Sequence, residues 1–95
     1  MPAPSPDLHA LGRAVRRARV DRDLSQEALA ERAGMNAKYL SELERGRKDA
    51  RTSTILRLVD AMDMRAGDLY ALYDRAHAGD DLTPPRIRAP RRQAR

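Results

Sequence analysis

The chain has 95 residues, which is room for one small domain with short flanking segments. Nineteen Lys and Arg residues outnumber fourteen Asp and Glu residues, so the formal net charge is +5. The lack of cysteine excludes disulfide frameworks and thiolate zinc sites. No apolar run approaches the roughly 20 residues that cross a bilayer, and the amino terminus lacks the pattern of a secretory signal. We therefore expect a cytoplasmic protein without a membrane partner.

Composition divides the chain into a middle and two ends. Residues 1–6 contain three prolines, and residues 83–95 contain three prolines and five arginines without an acidic residue. Such compositions predict flexible tails, which we place at 1–6 and 80–95. Residues 7–79 are then expected to fold as a single domain.

Apolar stripes at helical spacing, separated by turn signals, predict five short helices and no strand. The expected helices cover 8–22, 26–32, 37–44, a stretch capped by Thr52 or Ser53, and about 66–77. Within the first helix, Arg13, Arg16 and Arg17 fall off the apolar stripe and should be solvated. The sequence thus predicts a compact all-α domain.

Strong start and stop signals surround the second and third helices. Ser25 and Asn36 are residue types that cap helix amino termini, because their side chains accept hydrogen bonds from unpaired backbone N–H groups. Gly34 and Gly46 can adopt the left-handed conformation that ends a helix. The two helices are therefore expected to be short and separated by a tight turn.

The same segment, residues 25–45, has the packing pattern of a helix-turn-helix. The small Ala30 lets two helices approach closely, and Gly34 permits a turn of three or four residues. Leu40 and Leu43 lie where the second of the two helices must pack against the body of the domain. An arbitrary helical hairpin rarely meets all of these requirements together.

Residues 8–70 resemble the phage repressor/Cro-like (XRE-type) helix-turn-helix family, through LSQEALAERAGMNAKYLSELERGR and, less closely, ILRLVDAMDM. The first stretch is also similar to controller proteins of restriction–modification systems. The resemblance implies a five-helix, lambda-repressor-like fold and a sequence-specific DNA-binding transcriptional regulator. Such a regulator would bind a two-fold operator as a homodimer, with helix 37–44 in the major groove. The family usually has Pro in place of Ala50 and Gly in place of Asp63.

Two polar residues are expected to support the helix-turn-helix. Arg19 lies on the apolar stripe of the first helix, where a charge requires a partner. The resemblance implies an ion pair between Arg19 and Glu44, and the alternative is an arginine whose guanidinium reaches water. Gln26 resembles a family glutamine that hydrogen-bonds the DNA backbone and supports the third helix, and the alternative is an ordinary surface glutamine.

The outward positions of the third helix are expected to read bases. These candidates are Asn36, Ala37, Lys38, Ser41 and Glu42. Lys38 can donate to guanine, Ala37 can contact a thymine methyl group, and Glu42 can accept from cytosine. Alternatively, Asn36 acts only as a cap, and Glu42 repels wrong sequences or pairs with an arginine. Phosphate contacts, or else a solvated loop, are expected from the basic residues that follow, which are Arg45, Arg47, Lys48 and Arg51.

The fifth helix supplies candidates for a homodimer interface, which are Tyr70, Tyr73 and His77. Two further roles stay open: an antitoxin-type module that holds a toxin, and a non-specific nucleic-acid binder that uses the basic tail. A toxin or RNA polymerase is the candidate protein partner. No catalytic set of residues can be identified, and His9 and His77 are far apart in a chain without cysteine. We therefore expect neither an enzyme nor a bound cofactor or metal.

Overall fold

The computed structural model describes residues 5–82, and this part of the chain forms five α-helices and no strand. The helices are α1 (Pro6–Asp21), α2 (Gln26–Ala33), α3 (Ala37–Glu44), α4 (Thr52–Ala61) and α5 (Ala66–His77). The predicted all-α, five-helix class is confirmed. Among residues 5–82, no helix has the length and apolar character needed to cross a membrane. Most of the two predicted tails, residues 1–4 and 83–95, lies outside the described residues.

One apolar core joins the five helices. α1 packs along α5 and against α3, while α2 contacts both α3 and α4. The largest fully buried side chains are Val15, Leu29, Leu40, Leu43, Ile55, Leu58 and Leu69. These residues come from all five helices and recur at helical spacing, so each short helix is held by its apolar face.

Side-chain caps begin the two central helices. The Ser25 Oγ accepts a hydrogen bond from the Ala28 N–H at 3.0 Å, and the Asn36 Oδ1 accepts one from the Tyr39 N–H at 2.7 Å. Between them, Gly34 ends α2 with a φ of 73°, in the left-handed region. α2 and α3 thus meet through a turn whose geometry is set by three residues.

The expected cap of α4 is wrong. Thr52 is already the first residue of the helix, and the N-cap is Arg51, which makes no side-chain capping bond. Thr54 and Ile55 are buried in the first turns of α4, so packing sets the start of this helix. After α4, Asp63 takes a φ of 53° at the turn where the resembling family usually has Gly.

Packing continues beyond residue 79, where the domain was predicted to end. Leu82 is only 2% exposed and packs against Ala10 and Ala76. Arg13 donates to the Asp80 carbonyl oxygen at 3.2 Å, and Arg17 donates to the Leu82 carbonyl oxygen at 3.5 Å. Residues 80–82 therefore belong to the packed region, and these two arginines are half-buried rather than solvated.

Candidate nucleic-acid interface

A buried ion pair links the first and third helices. The Arg19 Nε lies 2.7 Å from the Glu44 Oε2, and the Arg19 Nη2 lies 3.0 Å from the Glu44 Oε1. The two side chains are 12% and 3% exposed, so the guanidinium does not extend into bulk water. Arg19 also donates to the Leu24 carbonyl oxygen at 2.8 Å. This two-bond geometry fixes both distance and orientation between α1 and the end of α3.

Gln26 joins the second helix to the same carboxylate. The Gln26 Nε2 donates to the Glu44 Oε1 at 3.0 Å, so Glu44 accepts from both α1 and α2. Buried carboxylates are tolerated when several donors satisfy them. Both α1 and α2 are thus tied to the carboxy-terminal end of α3, and α3 cannot rotate without breaking these bonds.

Gly12 permits the close approach of α1 to α3. A Cβ at this position would lie 2.5 Å from the carbonyl oxygens of both Leu43 and Glu44, closer than any unstrained contact. This role was not predicted from the sequence, although a glycine inside a helical pattern is a signal of close backbone packing. Gly12 therefore belongs to the set of residues that fixes the position of α3.

Only two of the five residues that were predicted to read bases are fully exposed on α3 and its cap. Asn36 and Lys38 are exposed, whereas Ala37, Ser41 and Glu42 are half-buried. Ala37 packs against the apolar core. These three side chains are therefore less accessible than Asn36 and Lys38, and their assignment to base reading stays a prediction.

Glu42 forms ion pairs with the basic turn that follows α3. Its Oε2 lies 3.8 Å from the Arg45 Nη1 and 3.9 Å from the Arg47 Nη1. The backbone bends back at this point, since the Arg47 N–H donates to the Glu42 carbonyl oxygen at 2.9 Å. Of the interpretations left open for Glu42, pairing with arginine is the arrangement in this structure.

The candidate residues fall into neighbouring surface grooves. One groove is lined by Asn36, Lys38, Tyr39, Glu42 and Lys48. A second groove shares Asn36 and Tyr39 with the first and also includes Arg51 and Arg57. The predicted phosphate candidates Arg45, Arg47, Lys48 and Arg51 are all exposed. The predicted base candidate Lys38 and the predicted phosphate candidate Lys48 thus share one groove.

A third cleft brings α1, α2 and α3 together. It is lined by Arg16, Arg19, Gln26, Ser41, Glu44 and Arg45. Arg16 is exposed at its edge and was considered only as a solvated residue from the sequence. The signal that could have found it is its spacing, three residues before Arg19 on the same side of α1. Tyr39, which lines both other grooves, was likewise missed as a candidate.

The predicted dimer residues of α5 differ in their surroundings. The Tyr73 hydroxyl donates to the Asp7 Oδ1 at 3.3 Å, and the His77 Nε2 lies 3.1 Å from the same oxygen. Desolvation and the Asp7 carboxylate raise the pKa of the Tyr73 phenol, which favours its role as a donor. The rings of Tyr73 and His77 stack with centroids 5.5 Å apart. Tyr70, in contrast, points outward and is 41% exposed.

The helix-turn-helix domain family matches residues 10–72 of the chain. The chain belongs to this family. The resemblance to XRE-type regulators is thereby confirmed, and the fold is that of DNA-binding helix-turn-helix regulators. No curated protein is significantly similar to the chain.

Solved structures support the same assignment. The restriction-modification controller protein C.AhdI from Aeromonas hydrophila is 34% identical, with a TM-score of 0.67, over 68% of this chain and 98% of that one. The clp gene regulator ClgR from Corynebacterium glutamicum is 31% identical, with a TM-score of 0.71, over 78% of this chain and 95% of that one. A second ClgR structure is 28% identical, with a TM-score of 0.73, over 97% and 88% of the two chains.

Proposed function

We propose that this protein is a non-catalytic transcriptional regulator that binds a two-fold operator as a homodimer, with α3 in the major groove. The observation that carries the proposal is the exposed start of α3, followed by an exposed basic turn. This surface stands on a helix that the pair of Arg19 and Glu44 holds in place. A rigidly held helix with polar residues at its amino-terminal end is the arrangement that reads base edges in helix-turn-helix proteins.

Within this surface, we assign base contacts and phosphate contacts to different residues. Lys38 can donate to guanine O6 and N7, and Asn36 can reach a base edge beside it while its Oδ1 caps α3. Lys48 and Arg51 lie beyond the end of α3 and would contact flanking phosphates, which position the protein without carrying sequence information. Glu42 would orient Arg45 and Arg47 through the ion pairs that it makes with them.

The cleft between α1, α2 and α3 would hold a further phosphate. Helix amino termini present unpaired N–H groups and the positive end of the helix dipole, which favour an anion. α2 begins in this cleft at Gln26, and Arg16 and Arg45 lie at its edge. Gln26 would then hydrogen-bond both the DNA backbone and the Glu44 carboxylate.

The proposed dimer places two α3 helices one DNA turn apart, about 34 Å. Tyr70, Tyr73 and His77 recur at helical spacing along one side of α5, and both Tyr70 and His77 are exposed to a partner. We assign the centre of an isologous interface to Tyr70, with the stacked Tyr73 and His77 at its edge.

The test is a comparison of Lys38→Ala with Lys48→Ala on two DNAs, a duplex selected from a random library by the wild-type protein and a random duplex. Lys38→Ala should weaken binding to the selected duplex by about 1–3 kcal/mol and relax the preference at one base pair per half-site. Lys48→Ala should weaken binding to both duplexes alike and flatten the slope of log K against log salt by about 1.

Titrations at several salt concentrations give these quantities, and sedimentation of the complex gives the number of chains per duplex. Equal loss on both duplexes with an intact base preference for Lys38→Ala would remove Lys38 from the reading surface. One chain per selected duplex would contradict the homodimer.

A further inference from the structure

His9 of α1 lies against the basic turn that follows α3. A Cβ at Gly46 would lie 2.8 Å from the His9 Cα and 3.3 Å from its Cβ, so the first turn of α1 packs directly on the backbone of the basic turn. Arg45 and Arg47, which flank Gly46, are exposed, and so is His9. An imidazole that is open to solvent therefore lies beside the two arginines.

His9 shares one side of α1 with Arg16. Successive residues of an α-helix are about 100° apart and rise by about 1.5 Å, so His9 and Arg16 differ by about 20° around α1 and by roughly 10 Å along it. Between them lies Gly12, the residue at which α1 closely approaches the end of α3. Arg16 lines the cleft that we assign to a phosphate, together with Gln26 and Arg45. This side of α1 therefore borders the proposed DNA surface at both of its ends.

The element packed against His9 has an excess of positive charge. Besides the buried Glu44, the end of α3 and the first residues of the basic turn contain five charged side chains, which are Glu42, Arg45, Arg47, Lys48 and Asp49. Three of them are basic and two are acidic, so their sum is positive even while the imidazole is neutral. The Glu42 carboxylate is already paired with the arginines on both sides of Gly46.

The charged groups of α1 near His9 are paired with other residues. Arg13, one turn after His9, lies 3.5 Å from the Asp81 carboxylate. The Asp7 carboxylate belongs to a position about 160° around the helix from His9, and it lies 3.1 Å from the His77 Nε2 of α5. In the described part of the chain, the His9 imidazole itself makes no ion pair or side-chain hydrogen bond. Its charge is therefore free to respond to an anion that binds beside the basic turn.

We infer that His9 is a further phosphate contact of this protein and that its protonation strengthens binding to the DNA on which α3 acts. The inference rests on the proposed function. Histidine is the side chain whose charge ordinarily changes between about pH 5 and pH 8. An imidazolium donates from both ring nitrogens and adds a positive charge, whereas a DNA phosphate is an anionic acceptor. Because the phosphate favours the charged form, the complex takes up a proton, and the affinity rises as the pH falls through this range.

The experiment uses the full chain and titrates it against the selected duplex and a random duplex, at about pH 5.5 and about pH 8 and at several salt concentrations. His9→Gln keeps a polar side chain without a charge at either pH, and His9→Arg keeps a positive charge at both. His77→Gln removes the other of the two histidines of the chain. For this variant only the change with pH is compared, because His77 lies at the proposed dimer interface.

The wild type should bind both duplexes more tightly at the lower pH, by up to about eightfold per contact at 0.1 M salt, with a slope of log K against log salt steeper by about 0.9 per contact. At both pH values, His9→Gln should bind like the wild type at the higher pH, and His9→Arg like the wild type at the lower pH. His77→Gln should keep the pH dependence of the wild type. The base preference should not change in the His9 variants, since phosphate contacts carry no sequence information.

The outcomes separate the failure of this contact from the failure of the proposed function. If the wild type selects a sequence but binds it equally at both pH values, or if His9→Gln retains the pH dependence, His9 does not contact phosphate. Loss of the pH dependence in His77→Gln, or equal affinities of His9→Arg and His9→Gln, would overturn the assignment as well. If the wild type selects no sequence at all from the random library, the proposed function itself fails, and this inference fails with it.

Discussion

The two central helices and the two helices that follow them are held by different interactions. α2 and α3 begin with the side-chain caps of Ser25 and Asn36, whereas α4 and α5 begin at Arg51 and Arg65 without a side-chain capping bond. The polar contacts around α3 are buried, as for Glu44 at 3% exposure. The Arg75–Asp80 pair at the end of α5 is, by comparison, 52% and 42% exposed.

This difference indicates that apolar burial stabilises α4 and α5, whereas polar contacts set the position of α3. Apolar burial is not directional, so the large side chains of α4 and α5 hold these helices in the core without setting their ends sharply. Capping and charge-assisted hydrogen bonds, in contrast, depend strongly on the donor–acceptor distance and angle, so they fix the orientation of the groups that they join. The short-range polar contacts are therefore concentrated around α3, the helix whose position matters for the proposed contact with DNA.

Breaking one ion pair of each kind should give the largest contrast. Glu44→Ala leaves the Arg19 guanidinium buried without its carboxylate, and removing one partner of a buried pair costs about 3–5 kcal/mol. Asp80→Ala is the control, because it removes the acid of an exposed pair and should cost about 0–1 kcal/mol. Chemical unfolding followed by circular dichroism measures both values. An unfolding midpoint for Glu44→Ala equal to that of the wild type would show that the buried pair does not stabilise the fold.

The second contrast concerns two glycines, Gly12 at the contact between α1 and α3 and Gly67 in α5. Gly12→Ala places a methyl group 2.5 Å from the carbonyl oxygens of Leu43 and Glu44, so α1 and α3 must separate at a cost of about 1–3 kcal/mol. Gly67→Ala in α5 meets no atom within 4 Å and should be neutral or stabilise by up to about 1 kcal/mol.

The shift of α3 should also weaken binding of Gly12→Ala to the selected duplex beyond its effect on stability, which a titration well below the unfolding temperature detects. If both glycine variants bind and unfold alike, the close approach of α1 to α3 does not constrain the position of α3.

Local signals were sufficient to predict much of the central region. Ser25, Gly34 and Asn36 act within a few residues of one another, so their effect on the chain can be inferred without knowing the rest of the fold. A charge on an apolar stripe likewise indicated that Arg19 needs a partner. Its identity as Glu44, 25 residues away, came only from the family resemblance.

The parts that were not predicted depend on contacts between distant segments. Arg13 and Arg17 bind carbonyl groups 67 and 65 residues further along the chain, and no local pattern reveals such partners. The cap of α4 was misplaced for a related reason, since the burial of Thr54 decides where that helix starts. For Glu42, pairing with an arginine was only one of the open interpretations, because its contacts with Arg45 and Arg47 arise only when the basic turn folds back.

The third contrast, with the smallest expected effect, removes the side-chain cap of α2 and adds one to α5. Ser25→Ala removes the acceptor for the Ala28 N–H and should destabilise the protein by about 1 kcal/mol. Arg65→Ser supplies a capping side chain at the start of α5, where none acts at present, and should stabilise by about 0.5–1 kcal/mol. Because Ser25 sets the start of α2 beside Gln26, only the first variant should also weaken binding to the selected duplex. Unfolding curves and titrations of both variants decide this, and a loss of binding in Arg65→Ser would mean that α5 capping, too, contributes to positioning the DNA-binding surface.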